Sequence, residues 1–282
     1  MRRPLLAVLI FAIFAGLIAS ACAGLGSAAQ REAPPEPKTQ VSGVQASGQR
    51  LGLEVVSAWP HDRSAFTQGL VLSGGLLYES TGLVGESSLR EVDPITGQVL
   101  RRLDVPPPIF AEGLALVDGR LIQITWQTGV AFVYDLASFE KIGEFHYGGE
   151  GWGICYDGQR LVMSDGSSQL FFRDPQTFEP LGQVSVLRDG QPVARLNELE
   201  CVGDQVYANV WQTDEIVDIE RDSGRVVATI DASGLLSTEE IRTRSPDDVL
   251  NGIAYDAESN SFLITGKRWP RLYQVRFVPA AG

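Results

Sequence analysis

The sequence predicts an all-β fold, a five-bladed β-propeller whose last blade is closed by an N-terminal strand. Three observations lead to this prediction: an excess of turn residues, a repeat of about 40–45 residues, and a last repeat that is one strand short. Thirty glycines and fifteen prolines in 282 residues suit many short strands joined by tight turns. An irregular β-sandwich is the alternative, but the regular spacing of the repeats favours the propeller.

Five segments share one pattern, in which a small or polar residue precedes an apolar strand, a turn and a second strand. They begin at Phe66, Phe110, Glu150, Arg195 and Val249. Their equivalent positions 68, 112, 152, 197 and 251 lie 44, 40, 45 and 54 residues apart. Hairpins led by an acidic residue follow the first four segments, at Asp93, Asp135, Asp174 and Glu220. Each hairpin separates the third and fourth strands of its unit, as expected for a propeller blade.

The fifth unit, residues 251–277, has room for only three strands. The strand predicted at residues 53–59 supplies the fourth, so that both ends of the chain complete one blade and close the ring. The longest interval between repeats contains an insertion, residues 231–248, which we expect to form a loop or a short helix.

Residues 1–22 are predicted to be an export signal. Arg2 and Arg3 precede an apolar run that closes on small residues, which fits a cleaved signal better than a transmembrane anchor. Cys22 follows Ala-Ser-Ala and resembles the lipidated cysteine of a bacterial lipoprotein, with plain signal cleavage as an equal alternative. The chain is therefore expected in the periplasm, on a membrane through a lipid anchor at Cys22, or secreted.

Residues 23–50 are predicted to be a flexible linker, and residues 51–282 the propeller domain. The net charge of −12 argues against a nucleic-acid partner. Two histidines and three cysteines leave little from which to build a zinc site. Cys155 and Cys201 form either a disulfide or two buried free thiols, and their apolar strands favour the thiols slightly.

Aligning the units places equivalent residues in two rings around the expected channel. The first ring, at the start of the innermost strands, contains Gln68, Glu112, Trp152, Asn197 and Asn251. The second ring, where the second strands end, contains Gly82, Trp126, Gly166, Trp211 and Lys267. Because the second strand returns to where the first began, both rings should lie on one face and form a small-molecule site. Taken singly, the same residues also fit core packing, turn caps or exposed surface.

Several segments of these units match one known family in the same order. They are Phe66-Thr67-Gln68-Gly69-Leu70, Phe110-Ala111-Glu112-Gly113-Leu114, Glu150-Gly151-Trp152-Gly153, Leu196-Asn197-Glu198-Leu199-Glu200, Ala208-Asn209-Val210-Trp211, Leu250-Asn251-Gly252-Ile253 and Thr265-Gly266-Lys267-Arg268-Trp269-Pro270. Over residues 53–277 the chain resembles the plant and bacterial type of glutaminyl-peptide cyclotransferase. The resemblance implies a five-bladed propeller that converts N-terminal glutamine to pyroglutamate with release of ammonia. It also implies that no catalytic metal or other cofactor is needed.

By that resemblance Glu112 is the catalytic carboxylate, and Lys267 and Asn197 are expected to stabilise the reacting oxygen. The expected substrate-binding residues are Gln68, Trp126, Trp152, Trp211, Asn251, Phe66 and Phe110. The expected partners are peptides or proteins with N-terminal glutamine, and the enzyme is expected to be a monomer.

Two other functions fit parts of the pattern. A metal-dependent propeller hydrolase, such as a lactonase, would use Glu112, Asn197 and Asn251 as oxygen ligands of calcium, although Lys267 argues against a cation in the same pocket. A non-enzymatic binding propeller would bind a ligand without releasing ammonia and would not depend on Glu112.

Overall fold

The computed structural model describes residues 48–280 of the chain, which form 22 β-strands and one short α-helix. Most strands are five to seven residues long, and tight turns join them to their neighbours in sequence. The prediction of an all-β fold is therefore confirmed.

The strands assemble into three four-stranded sheets and one ten-stranded sheet. The first strand, β1 (Gln49–Pro60), belongs to the ten-stranded sheet. The three smaller sheets are antiparallel and contain β2 (Thr67–Ser73), β3 (Leu76–Thr81), β4 (Ser88–Val92) and β5 (Val99–Asp104); β6 (Ala111–Val117), β7 (Arg120–Thr125), β8 (Val130–Asp135) and β9 (Lys141–His146); and β10 (Ile154–Tyr156), β11 (Leu161–Met163), β12 (Gln169–Arg173) and β13 (Pro180–Ser185).

The ten-stranded sheet holds the remaining strands and follows the order β16-β17-β18-β19-β1-β22-β21-β20, with two short strands beside β19. They are β14 (Leu187–Arg188), β15 (Gln191–Pro192), β16 (Leu196–Val202), β17 (Gln205–Val210), β18 (Glu215–Glu220), β19 (Arg225–Asp231), β20 (Leu250–Asp256), β21 (Ser261–Gly266) and β22 (Arg271–Pro279).

Strand β1 joins two groups of strands that would otherwise be separate sheets. It pairs antiparallel with β22, for example Leu53 with Phe277, and parallel with β19, from Gln49 opposite Ala228. The predicted N-terminal strand at residues 53–59 thus pairs with the last strand of the chain. It begins earlier than predicted, at Gln49, because its first residues complete the edge of β19.

The first strands of the successive groups contact one another in a closed circuit. Strand β2 contacts β6, β6 contacts β10, β10 contacts β16, β16 contacts β20, and β20 contacts β2. The apolar core lies between neighbouring sheets: Val162 and Leu170 of the third sheet, for example, pack in one cluster with Val206 and Ile219. This packing brings the starts of the first strands close together.

Cys155 and Cys201 form a disulfide, which corrects the expectation of two free thiols. Cys155 lies in β10 and Cys201 in β16, two first strands that are neighbours in the circuit. Their Cα atoms are 5.5 Å apart, as a disulfide requires. The sequence shows that both lie in apolar strands but not that the two strands pack side by side.

The insertion at residues 231–248 contains α1 (Thr238–Thr243), which confirms the expected loop or short helix. Its N-terminus is fixed by a capping box, in which Ser237 N donates to Glu240 Oε2 at 2.8 Å and Glu240 N donates to Ser237 Oγ at 3.3 Å. The predicted export signal with Cys22, and the predicted linker up to residue 47, lie outside the described residues. Within residues 48–280, no helix has the length and apolar character that a membrane crossing needs.

Candidate active site

A cavity of about 310 Å³ opens where the first strands begin. Its size is at the lower end of the range for small-molecule sites. Its wall consists of Phe66, Gln68, Leu83, Phe110, Glu112, Trp126, Trp152, Asn197, Trp211, Asp247 and Lys267. The structure therefore brings every predicted site residue except Asn251 to one cavity.

Strand geometry explains why residues so distant in sequence meet here. Gln68, Glu112 and Asn197 are each the second residue of a first strand, namely β2, β6 and β16. Trp126, Trp211 and Lys267 directly follow the second strands β7, β17 and β21. An antiparallel pair places the start of one strand beside the end of the next, so the two predicted rings share one face.

Glu112 is 6% exposed, and burial raises the pKa of its carboxyl well above the ordinary value. The positive charge of Lys267 opposes that rise, whereas the negative charge of Glu150 adds to it. Glu112 is therefore a carboxyl whose proton is held more firmly than usual and which faces an open cavity.

Lys267 is 4% exposed, and burial lowers the pKa of its ammonium group, while Glu112 and Asp247 act in the opposite direction. Its Nζ lies 4.9 Å from the centre of the Phe66 ring, within the range of a cation–π contact. Its backbone N donates to Val249 O at 2.9 Å, which fixes the residue just beyond the end of β21. The side chain thus brings a nearly buried amine into the pocket that holds Glu112.

Asn197 is 2% exposed, and its Oδ1 is buried without a hydrogen-bond partner among the described residues. Its backbone is held firmly, since Ser164 Oγ donates to Asn197 O at 2.7 Å. A buried amide oxygen without a partner costs free energy, and a donor on a bound ligand would relieve that cost.

Five aromatic rings line the cavity. Phe66 and Phe110 meet edge to face with ring centres 6.2 Å apart, and Phe110 meets Trp126 at 5.7 Å. Trp152 and Trp211 form a further edge-to-face pair at 5.5 Å. Gly166, a member of the second ring, lies against Trp152, and a Cβ at this position would overlap the indole. These rings give the cavity an apolar wall of fixed shape.

Asn251, the remaining predicted residue, is not among the described residues that line the cavity. Its Nδ2 donates to Thr67 O at 2.9 Å and to Gln68 Oε1 at 3.2 Å. Asn251 therefore lies behind Gln68 and orients its amide. Its position in the repeat matches the ring, but its amide bonds to the backbone of Thr67 and to Gln68.

A family model described as glutamine cyclotransferase matches residues 19–277 of the chain. The chain belongs to the glutamine cyclotransferase family. This confirms the resemblance found in the sequence.

Two relatives of this family member cover most of its length. A glutaminyl-peptide cyclotransferase from Arabidopsis thaliana is 42% identical over 248 residues, which are 84% of this chain and 77% of the relative. The crystal structure of Myxococcus xanthus glutaminyl cyclase matches with a TM-score of 0.78 at 39% identity and covers 83% of this chain and all of that one.

In this glutamine cyclotransferase, three residues at the cavity have no role in the sequence-based prediction. Leu83 and Asp247 complete the wall, and Asp247 comes from the insertion between repeats, where no alignment of the units reaches it. Glu150 lies beside the wall and accepts hydrogen bonds from the indoles of Trp126 and Trp152. In the sequence, Glu150 stands out only by its place shortly before the ring residue Trp152. That place does not show which groups its carboxylate contacts.

Within residues 48–280 of this family member, no group of three or more His, Cys, Asp or Glu side chains is placed to hold a metal ion. The oxygen ligands considered for a calcium site were Glu112, Asn197 and Asn251. Asn251 does not share the cavity wall with the other two.

Proposed function

We propose that this chain is a glutaminyl-peptide cyclotransferase, which converts the N-terminal glutamine of peptides or proteins to pyroglutamate and releases ammonia. The observation that carries the proposal is Glu112, a buried carboxyl with a raised pKa in an aromatic cavity beside Lys267. Membership of the glutamine cyclotransferase family and the 42% identical relative of that activity support it.

The reaction takes place within one residue of the substrate. The α-amine nitrogen attacks the γ-carboxamide carbon, a C–N bond forms, and a five-membered lactam closes through a tetrahedral intermediate. The bond to the amide nitrogen then breaks, and that nitrogen leaves as ammonia. The substrate supplies its own proximity, so the enzyme has to select the folded rotamer and move protons. No electron transfer or group carrier enters this balance, and side chains can make the proton transfers.

Glu112 would move the protons. As a carboxylate it takes a proton from the attacking amine, whose ordinary pKa of about 7.7–8.0 leaves it mostly protonated at neutral pH. As a carboxylic acid it then returns a proton to the leaving nitrogen. One group can do both when its pKa lies near the working pH, and the rise caused by burial moves Glu112 in that direction.

Lys267 and Asn197 would stabilise the negative oxygen of the tetrahedral intermediate by donating from Nζ and Nδ2. Both line the cavity with Glu112 and are almost fully buried, so their donors are shielded from water. A donor held in place for such an oxygen contributes about 2.7–4 kcal/mol to transition-state stabilisation.

The remaining wall would hold the glutamine side chain. The rings of Phe66, Phe110, Trp126, Trp152 and Trp211 surround a space suited to one small residue, and indole faces attract a cationic amine. Gln68, oriented by Asn251, would bind the substrate amide or the peptide backbone.

We also propose that the strand groups are the five blades of a propeller. The support is the closed circuit of contacts among the first strands and the pairing of β1 with β22, which gives the last group its fourth strand. The two blades that share β1 are continuous in one ten-stranded sheet.

For cellular placement, we propose an exported monomer that is periplasmic, anchored through a lipid at Cys22, or secreted. The support is the apolar run of residues 5–18 and the small residues before Cys22. The disulfide between Cys155 and Cys201 also suits an oxidising compartment.

A single assay tests the proposed function. The purified protein is incubated with a peptide that begins with glutamine, and we expect a mass loss of about 17 daltons, the mass of ammonia, together with free ammonia. The same activity should persist in a chelator, which separates the proposal from a calcium-dependent hydrolase. Binding of the peptide without ammonia release would contradict it.

A further inference from the structure

Glu150 joins two walls of the cavity through one oxygen atom. Its Oε2 accepts hydrogen bonds from Trp126 Nε1 at 2.7 Å and from Trp152 Nε1 at 3.0 Å, while its Oε1 accepts from Gln127 Nε2 at 2.9 Å. Both indoles line the cavity. All three bonds are donated to the carboxylate.

These bonds fix the relative position of two different parts of the fold. Trp126 follows β7 of the second sheet, whereas Trp152 precedes β10 of the third. An indole N–H can only donate, so each ring needs an acceptor at its edge, and a carboxylate oxygen can accept two such bonds. Trp126 is 37% exposed and contacts Phe110 at one edge, so the bond to Glu150 is its second attachment to the wall.

Glu150 also acts on Glu112 by charge. Partial burial works to raise the pKa of Glu150, but the bonds from Gln127, Trp152 and Trp126 outweigh it and bring the pKa below its ordinary value. The resulting negative charge disfavours ionisation of Glu112. The other charged or titratable groups near Glu112 are Lys267, Asp247 and Tyr147.

We propose that Glu150 is a positioning residue, whose carboxylate holds Trp126 and Trp152 in place as substrate walls. The proposal rests on the proposed function of the cavity, in which the two indoles bind the substrate and Glu112 moves the protons. Glu150 itself does not line the cavity and acts only through the three side chains named.

The test compares Glu150→Gln and Glu150→Asp with the wild type, and Gln127→Ala is the matched control, because it removes one bond to Glu150 and leaves both indole bonds. In Glu150→Gln, the amide oxygen can still accept from the indoles, but it lacks the charge that strengthens these bonds, so we expect KM for a glutamine-initiated peptide to rise about ten-fold. Without the neighbouring negative charge, Glu112 ionises more easily, so the acidic limb of the kcat profile should move to lower pH.

Glu150→Asp separates the two effects. Its shorter side chain keeps the charge but cannot reach both indoles, so KM should rise while the acidic limb stays near that of the wild type. Gln127→Ala should change KM by less than about two-fold and should leave the acidic limb where it is in the wild type. Wild-type KM and an unmoved acidic limb in Glu150→Gln would overturn the proposal.

A second measurement does not depend on turnover. The chain has five tryptophans, so an NMR spectrum of the 15N-labelled protein shows five indole N–H signals. Lowering the pH through the pKa of Glu150 should move two of them together, and Glu150→Gln should move the same two. Failure of those signals to move overturns the inference even if the enzyme is active. Absence of ammonia release by the wild type overturns the proposed function instead.

Discussion

Glu112 and Lys267 are buried in the same cavity, and burial drives both toward their neutral forms. It raises the pKa of the carboxyl and lowers the pKa of the amine, while the attraction between the two charges acts against both shifts. Neither group keeps its ordinary pKa, and the carboxyl holds its proton to higher pH than an exposed glutamate does. At the residue scale, the pKa values of both groups therefore depend on how well the cavity excludes water.

Glu112→Gln should lower kcat by about 10²–10⁴, because an amide has the shape of the carboxyl but cannot take up and return a proton. Urea unfolding should show equal or greater stability, since the variant no longer buries an ionisable group. Ammonia release and the unfolding midpoint are the measurements, with the exposed Glu86→Gln as a control that changes neither. Turnover near the wild-type rate would rule out Glu112 as the proton carrier.

The sequence predicts the residues of the site better than the direction of their side chains. Aligning the repeats suffices for Gln68, Glu112 and Asn197, because a ring position depends only on where a first strand starts. The orientation of Asn251 depends on the carbonyl of Thr67, which is 184 residues away in sequence. The role of Glu150 depends in the same way on an indole from another sheet, and no alignment of repeats contains that contact.

At the scale of the strand, the first strands pack closely against one another beside the cavity. Gly153 follows the ring residue Trp152 and packs against the backbone of Asn197, where a Cβ would overlap the carbonyl oxygen. In the aligned position of the fourth unit stands Glu198, whose carboxylate accepts from Leu70 N at 3.2 Å and Ile253 N at 2.8 Å. Glycine permits contact between some first strands, and a buried acid bridges others.

Gly153→Ala should destabilise the fold by about 3 kcal/mol and lower activity, because β16 and Asn197 would have to move away. Gly148→Ala is the matched control: a Cβ there meets no atom within 4 Å, so stability should change little. Urea midpoints and kcat of the two variants give the comparison. Equal stability of both variants would show that the first strands have room to separate.

Removing the disulfide with Cys155→Ala and Cys201→Ala together should cost up to about 4 kcal/mol, because the bond closes a long loop in the unfolded chain. The wild type should lose the same stability when a reductant is added, and the double variant should not respond to reductant. Thermal or urea unfolding with and without reductant measures both. A wild type that is insensitive to reductant at every denaturant concentration would contradict this account.

On the scale of the molecule, β1 links the last group of strands to the group before it. The strands of each group follow from turn residues and short apolar runs, so the sequence predicts most of them, including the pairing of the N-terminal strand with the end of the chain. It does not predict the parallel pairing of β1 with β19, because that contact involves only three pairs, from Gln49–Ala228 to Leu51–Ile230, and these lie before the predicted strand at residues 53–59. The two-residue strands β14 and β15 have no signal in the pattern either.

A chain that begins at His61 lacks β1 and should fail to fold stably. It exposes the edges of β22 and β19, and the lost pairing is large beside a typical total stability of about 5–15 kcal/mol. A chain that begins at Gly48 keeps every described contact and is the control. Circular dichroism and size-exclusion chromatography compare the two, and a folded, monomeric protein starting at His61 would show that β1 is dispensable.

The position of β1 also makes a circular permutation of the chain possible. Ala280 N donates to Arg50 O at 3.3 Å, so the two ends of the described chain lie side by side. A short peptide can therefore join them, and the chain can be reopened in the exposed turn at Gly74 and Gly75, outside the cavity wall. Such a circular permutant would start at the second strand of its first sheet and still assemble the same cavity.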